Sequence, residues 1–296
     1  MGTPDFAIHS LQKLVESKHK ITAVVTSPDK ERGRGQKVSF TPVKEFALQN
    51  HIPVLQPEKL KQNPQLVSEL KKYNADLFVV VAFKILPKEV FNIPSKGSFN
   101  LHASLLPKYR GAAPIQWALI NGETETGLTT FKLAEKVDTG NIYLQHKLEI
   151  FPEDNFDSLH DRMSELGAKL VLETVNLIES GNFELKQQND SLASPAQKIT
   201  KEICLIDWKK SAIEIHNLVR GLSPNPAAFF IYSGKVLKVY KAKVVERNYL
   251  KPFQIEQTKK ELIIGCGKGA LQILELQQEG RKRMSAEEFL RGFSFH

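Results

Sequence analysis

The segment SFNLHASLLPKYRGAAPI, residues 98–115, decides the fold, because its pattern predicts a strand, a turn and the start of a helix. Residues 98–100 have β character, residues 105–107 form a Leu-Leu-Pro turn, and residues 112–114 begin an apolar helix. Pro114 suits a first helical turn, where the missing N–H of proline costs nothing.

Two polar side chains of this segment are candidates for chemistry. Asn100 and His102 differ by two positions, so both point to one face of an extended strand. An amide and an imidazole side by side can hold a carbonyl oxygen as it becomes an oxyanion. Alternatively, Asn100 closes a turn and His102 is a buried histidine with satisfied hydrogen bonds. The two residues alone leave both interpretations open.

Strand and helix patterns alternate around this segment. Strands are predicted at residues 21–25, 77–83, 99–101, 126–133 and 141–150, and helices at residues 43–50, 64–73 and 155–180. Such alternation predicts an α/β domain with a doubly wound, mostly parallel sheet and right-handed crossovers. These sheets bind ligands at the carboxyl ends of their strands, where Asn100, His102 and the turn at residues 82–87 fall.

No nucleotide-binding fingerprint accompanies this pattern. Gly33 and Gly35 lack a third glycine, and the glycines of residues 265–269 do not have P-loop spacing. Residues 265–269 lie between two strand patterns and are most simply a hairpin turn. A dehydrogenase or NTPase function is therefore disfavoured.

The last third of the chain has a different pattern. A linker is predicted at residues 183–200, which separates a domain of residues 1–182 from a domain of residues 201–296. The latter contains a helix at residues 211–222 and strands at residues 228–232, 235–245, 261–264 and 270–276. A last helix is capped by Ser285, with Glu288 three residues on. Short strands around hairpins predict a small β-barrel.

The charge is uneven along the chain. The net charge of +8 divides into +1 for residues 1–200 and +7 for residues 201–296. This asymmetry fits a C-terminal module that faces a polyanion, or equally a solvated basic surface. The polar, basic loop of residues 26–41, called the basic loop, can likewise neutralise phosphates or remain solvated.

Composition bounds the class of protein. The length of 296 residues is typical of two domains, and a hydrophobic content of 41% with 25% charged residues is typical of a globular protein. No apolar run is long enough for a membrane span. Two cysteines, Cys204 and Cys266, make neither a disulfide framework nor a metal pattern. Reduced thiols, a cytoplasmic location and no metal are expected.

The motifs in their order resemble the folate-dependent formyltransferases. The resemblance rests on N-x-H-x-SLLP-x-x-RG at residues 100–111, on GE-x-ETG at residues 122–127 and on DTG at residues 138–140. RGAAPIQWA, the opening GTPDF, and RGLSPNPAAF at residues 220–229 narrow it to members acting on initiator methionyl-tRNA. Relatives that share GTPDF have a short apolar strand before it, so the first strand is expected to be missing here.

The resemblance implies formyl transfer from 10-formyltetrahydrofolate, a co-substrate, to the α-amino group of initiator methionyl-tRNA, for translation initiation. It implies a Rossmann-like formyltransferase domain followed by an OB-like barrel that binds tRNA, in a protein expected to be a monomer. The implied catalytic residues are Asn100, His102 and Asp138. The implied folate-binding residues are Phe83, Leu86, Ser104, Leu105, Leu106 and Pro107. The implied tRNA-binding residues are Lys30, Arg32, Arg34 and Lys37, all in the basic loop.

Two alternatives stay open. The first is a folate-dependent formyltransferase or hydrolase that acts on a small-molecule amine, against which the basic loop and the charge of residues 201–296 argue. The second is an RNA-binding protein with a decayed enzyme domain, against which the intact set of Asn100, His102 and Asp138 argues.

Overall fold

The computed structural model describes residues 1–32 and 37–295, and the chain forms two compact units. The N-terminal unit comprises Met1–Gly111, Thr126–Leu148 and His160–Pro195. The C-terminal unit comprises Ala112–Glu125, Glu149–Leu159 and Ala196–His296. The predicted domains are continuous ranges of the chain. In the structure, residues 112–125 and 149–159 belong to the C-terminal unit although they precede the predicted linker.

Helices and strands alternate through residue 180, as the sequence predicts. The helices are the 3-10 helix η1 Asp5–Ala7, α1 Ile8–Val15, α2 Pro42–Gln49, α3 Pro64–Lys72, α4 Lys88–Phe91, α5 Pro114–Ile120, α6 Phe156–Ser180, the 3-10 helix η2 Asp190–Leu192, α7 Ala212–Leu222 and α8 Ala286–Leu290. The strands are β1 Val24–Val25, β2 Lys30–Arg32, β3 Lys37–Ser39, β4 Val54–Leu55, β5 Phe78–Val81, β6 Ser98–His102, β7 Arg110–Gly111, β8 Glu125–Lys132, β9 Ile142–Glu149, β10 Pro195–Ala196, β11 Ala228–Tyr232, β12 Lys235–Val245, β13 Ile255–Gln257, β14 Leu262–Gly265, β15 Ala270–Gln278 and β16 Met284–Ser285.

Capping residues set the starts of several helices. Thr41 accepts a hydrogen bond from the Lys44 N–H at the start of α2. Ser285 and Glu288 form a reciprocal capping box at the start of α8, which confirms the cap predicted from the sequence. Each such cap stabilises a helix by about 1 kcal/mol, since it satisfies backbone N–H groups that have no partner within the helix.

The main sheet of the N-terminal unit has the strand order β5-β6-β8-β9. β5 and β6 are parallel, with Val80 opposite Asn100. β6 and β8 are antiparallel, with His102 opposite Thr129. The sheet is thus parallel at β5 and β6 and antiparallel at β8, whose direction was not predicted, because a period-two pattern of apolar residues does not encode strand direction. A separate parallel pair joins β1 to β4.

Residues Met1 and Gly2 lie between this pair and the main sheet. The Gly2 N–H donates to the Val25 carbonyl at 3.0 Å, and the Met1 amino group donates to the Val79 carbonyl at 2.7 Å. Burial lowers the pKa of the Met1 amino group to about 5. A cavity of about 530 Å³ lies beside Met1 and is lined by Val24 and Phe78 among others. The expectation of a missing first strand bears on this region and stays a prediction.

The basic loop differs from its prediction as a simple loop. β2 and β3 within it pair in antiparallel register, with Lys30 opposite Ser39. Conversely, the strand predicted at residues 21–25 is reduced to β1. Helix α6 follows its prediction closely, since Leu159, Met163, Leu170 and Ile178 of the predicted core stripe are all buried.

The C-terminal unit is built on a curled antiparallel sheet. Its strand order is β11-β12-β15-β14-β13, with β16 paired to β15. Irregular register in β12 around Lys241 bends that strand. One face of the sheet forms a core with α7, in which Ile215, Leu237, Leu262 and Leu276 are almost completely buried. The strands predicted at residues 228–232 and 235–245 are confirmed.

The predicted hairpin turn at residues 265–269 is also confirmed. It joins the antiparallel strands β14 and β15, and the Cys266 N–H donates to the Gly269 carbonyl at 3.0 Å. Burial raises the pKa of the Cys266 thiol to about 11 and also raises the pKa of Cys204. Both cysteines are free thiols.

Across residues 1–32 and 37–295, no group of three or more histidine, cysteine or acidic side chains is placed to hold a metal ion. In the same part of the chain, no helix combines the length and the apolar character needed to cross a bilayer.

Candidate active site

Asn100 and His102 lie at the carboxyl end of β6, as the sequence predicts. Asn100 is half-buried, and within the described part of the chain its side-chain amide makes no hydrogen bond. Its N–H groups are thus available to an oxygen atom brought to this end of the sheet.

His102 is only 6% exposed, and its ring has a fixed orientation. Its Nε2 lies 2.8 Å from the Tyr109 carbonyl oxygen. Because a carbonyl can only accept, Nε2 carries the hydrogen in this bond. The other nitrogen, Nδ1, can therefore accept a hydrogen bond in the neutral ring. The Phe131 ring packs against the imidazole ring in a T-shaped arrangement, at a centroid distance of 6.5 Å.

Asp138 approaches this histidine from the loop of residues 133–141, called the Asp138 loop. The Asp138 Oδ2 lies 3.8 Å from His102 Nδ1 and accepts a 2.9 Å hydrogen bond from the Gly111 N–H. The backbone of Asp138 is left-handed, with φ of 55°. The structure thus brings together two residues that are 36 positions apart in the chain.

The SLLP turn, residues 104–107, is held from two neighbouring strands. The Thr129 hydroxyl donates to the Ser104 carbonyl at 2.7 Å and accepts from the Leu106 N–H at 3.1 Å. The Gln145 amide donates to the Leu106 carbonyl at 2.8 Å. Ser104 and Leu106 are buried, while Leu105 and Pro107 are half-buried. The side chains of Ser104 and Leu106 therefore shape the turn from inside.

The turn that contains Phe83 and Leu86 places these two predicted residues differently. Phe83 is half-buried, whereas Leu86 packs into the core of the N-terminal unit. Ile85, between them, is 63% exposed, and Val137 beside Asp138 is 48% exposed. Lys88 forms an ion pair with Glu135, which links this turn to the Asp138 loop. The sequence does not predict that Ile85 and Val137 are exposed, because an apolar residue in a turn can face either core or solvent.

The basic loop lies partly outside the described residues. Lys30 is exposed at the start of β2. Arg34, and the side chains of Arg32 and Lys37, lie outside the described residues, so their predicted contacts with tRNA stay predictions.

Three further residues contribute to the site without having been predicted. Tyr109 holds His102 through its carbonyl, and Gly111 holds Asp138 through its N–H. Gln188 holds the backbone of the Asp138 loop. The Tyr-Arg-Gly corner at residues 109–111 is a turn motif that is visible in the sequence. Gln188 lies in a polar segment that contains no such motif.

This fold is that of a formyltransferase, as two family models show. The family model described as formyl transferase matches residues 1–175, and the model of the formyl transferase C-terminal domain matches residues 198–294. The chain therefore belongs to the formyl transferase family.

Its relatives place it among the methionyl-tRNA formyltransferases of that family. The methionyl-tRNA formyltransferase of Caldanaerobacter subterraneus subsp. tengcongensis is 50% identical over 294 residues, which cover 99% of this chain and 95% of the relative. That of Geobacter metallireducens is 48% identical over 294 residues, which cover 99% of this chain and 94% of the relative.

Solved structures show the same fold. The sugar 3N-formyl transferase WlaRD aligns with a TM-score of 0.69 at 22% identity, over 95% of this chain and 97% of that one. An N-formyltransferase from Helicobacter canadensis aligns with a TM-score of 0.67 at 23% identity, over 96% of this chain and 97% of that one. This likeness supports a Rossmann-like N-terminal domain and concerns the fold alone.

Proposed function

We propose that the protein transfers a formyl group from 10-formyltetrahydrofolate to the α-amino group of initiator methionyl-tRNA, for translation initiation. The observation that carries this proposal is identity of 44–50% over 99–100% of the chain to several methionyl-tRNA formyltransferases. The availability of Asn100 beside the His102–Asp138 pair supports it, because formyl transfer needs a polarised carbonyl.

The chemistry follows from the residue types. The formyl group on a folate nitrogen is amide-like, and its carbon is attacked by the amine of the aminoacyl ester. The pKa of that amine is at or below the roughly 7.7–8.0 of a terminal amine, so much of it is neutral near pH 7. A C–N bond to the amine forms, the C–N bond to the folate breaks, and one proton passes from the attacking to the leaving nitrogen.

Asn100, His102 and Asp138 have separate roles in this proposal. Asn100 donates to the formyl oxygen as negative charge develops on it. His102 carries the proton at Nδ1, because its Nε2 hydrogen is already engaged by the Tyr109 carbonyl. The Asp138 carboxylate, 3.8 Å away, stabilises positive charge on the imidazole.

The folate is assigned to the crevice between the SLLP turn, the Phe83–Leu86 turn and the Asp138 loop. Structures of the same fold contain folate derivatives, namely 5-N-formyl-THF in WlaRD and tetrahydrofolic acid in HypX from Aquifex aeolicus. The half-buried residues Phe83, Leu105 and Pro107 can contact the pterin ring of the folate. Leu86, Ser104 and Leu106 contribute to the site as its buried support.

The tRNA is assigned to the basic loop and to residues 201–296. We infer that the curled antiparallel sheet is an OB-like barrel, a fold that suits oligonucleotides. The positive charge of residues 201–296 supports this role. A catalytic domain of residues 1–182, a linker of residues 183–200 and a tRNA-binding domain of residues 201–296 are part of the proposal. So are a monomeric state and a cytoplasmic location.

The proposed function is tested by formyl transfer from 10-formyltetrahydrofolate to initiator methionyl-tRNA, with elongator methionyl-tRNA as the control. We expect transfer to the initiator and little transfer to the elongator. Transfer only to a small-molecule amine such as a nucleotide-linked amino sugar, or hydrolysis of the folate without transfer, would establish the small-molecule alternative instead.

Arg34→Ala tests the proposed role of the basic loop. If Arg34 neutralises one phosphate, tRNA affinity falls several-fold, and the slope of log affinity against log salt concentration decreases by about 1. The measurement is a binding titration over a range of salt concentrations. The matched control is Lys61→Ala, which removes an exposed positive charge elsewhere in the N-terminal unit. Equal slopes for the two variants would remove Arg34 from the interface.

A further inference from the structure

The side chain of Gln188 is buried, at 8% exposure, and lies against the Asp138 loop. Its Nε2 donates to the Asp138 carbonyl at 2.9 Å and to the Gly140 carbonyl at 2.8 Å. Its Oε1 accepts from the Arg110 guanidinium, at 3.1 Å from Nε and 2.6 Å from Nη2. Carbonyls only accept and guanidinium only donates, so these partners determine the orientation of the amide.

These bonds close a ring around Asp138. Gly111 holds the Asp138 carboxylate through a backbone N–H, and Arg110, the adjacent residue, holds Gln188, which in turn holds the Asp138 main chain. The dipeptide Arg110-Gly111 thereby holds the Asp138 carboxylate directly and the Asp138 main chain through Gln188. A left-handed aspartate costs free energy and persists only where its surroundings impose that conformation.

The segment that carries Gln188 is itself anchored. Lys186 forms an antiparallel bridge with Ile142 through hydrogen bonds of 2.8 and 3.0 Å. Asp190 pairs with Arg110 at 2.7 Å. Gln188 thus projects toward the Asp138 loop from a segment held on both sides.

We propose that Gln188 is a positioning residue for formyl transfer, which holds the Asp138 loop so that the Asp138 carboxylate faces His102 Nδ1. This inference rests on the proposed function, since it assigns Gln188 a part in that reaction. Gln188 touches neither substrate; it acts through the main chain of the Asp138 loop.

The test compares Gln188→Leu, which removes all four hydrogen bonds at similar size, with Gln187→Leu at the exposed neighbouring position. We expect Gln188→Leu to lower kcat about 10- to 100-fold, because a small displacement of a reacting constellation has effects of this size. KM for both substrates stays within about twofold. Gln187→Leu should behave as wild type.

A double-variant cycle separates positioning from mere stabilisation. In an Asp138→Asn background, Gln188→Leu should change kcat by less than about twofold, because the carboxylate it positions is already gone. An equal loss in both backgrounds would show a structural role and overturn the proposal. Gln188→Glu keeps the contact with Arg110 but loses both donors to the loop, so wild-type activity in that variant would also overturn it.

Amide hydrogen exchange provides a second test, which does not depend on enzyme activity. In Gln188→Leu, the amides of residues 134–141 should exchange faster than in wild type or Gln187→Leu. Unchanged exchange would overturn the proposal whether or not the enzyme transfers formyl groups. A wild-type chain that formylates no amine would instead disprove the proposed function, and the role of Gln188 in the reaction with it.

Discussion

Asn100→Ala is expected to lower kcat for formyl transfer about 10²- to 10³-fold, the usual effect of removing one donor to an oxyanion. The Asn100 amide makes no hydrogen bond within the described residues, so its donors are available to the formyl oxygen. For the same reason its removal should change the free energy of unfolding by no more than about 0.5 kcal/mol. Single-turnover kinetics and thermal unfolding measure the two effects.

Two further variants sharpen this result. Asn100→Asp keeps the size of the side chain but replaces the amide donors with oxygen atoms, so it should be as inactive as the alanine variant. Asn92→Ala removes an exposed asparagine of the same unit and should leave activity unchanged. Activity of Asn100→Ala within about threefold of wild type would remove Asn100 from the oxyanion site, since the loss of a single donor exceeds that.

Gly140→Ala is expected to disable the enzyme through the Asp138 loop. A Cβ atom at Gly140 would lie 1.7 Å from the Lys132 carbonyl oxygen, a distance at which the backbone has to move. Such overpacking destabilises the fold by about 3 kcal/mol. Because Asp138 and Gly140 are both held by Gln188, the same movement withdraws the carboxylate from His102. We expect a loss in kcat of about 10²-fold at temperatures where the variant is folded.

The matched control for this variant is Gly292→Ala. A Cβ atom at Gly292 would meet nothing within 4 Å, and Gly292 is not left-handed. That variant should unfold at the wild-type temperature and retain activity. If Gly140→Ala were as stable and active as Gly292→Ala, that result would disprove the close packing of the Asp138 loop against β8.

Much of the architecture follows from local pattern. The bounds of α3, β11 and β12 agree with prediction to within one residue, because capping residues, prolines and turn glycines mark element ends. The antiparallel direction of β8 was not predicted, since alternation of apolar residues is the same in both directions. The pairing of β2 with β3 was missed because most of their residues are polar.

The candidate site was only partly predictable for a similar reason. Asn100 and His102 share a strand face by their spacing alone. The burial of Leu86 and the exposure of Ile85 depend on how one turn packs, which composition does not reveal. Gln188 lies in a polar segment whose pattern predicts a linker, and its role depends on three groups distant in sequence.

The sequence by itself determined the order of elements, the chemical groups present and the strand end at which they are found. Local propensity and two-residue periodicity depend on neighbours in the chain, so they can be read from it. Only the tertiary structure decided that His102 uses Nε2 to hold the Tyr109 carbonyl, that Asp138 faces Nδ1 and that Gln188 holds the Asp138 loop. These contacts join residues up to 50 positions apart, and their geometry follows from the packing of whole elements against one another.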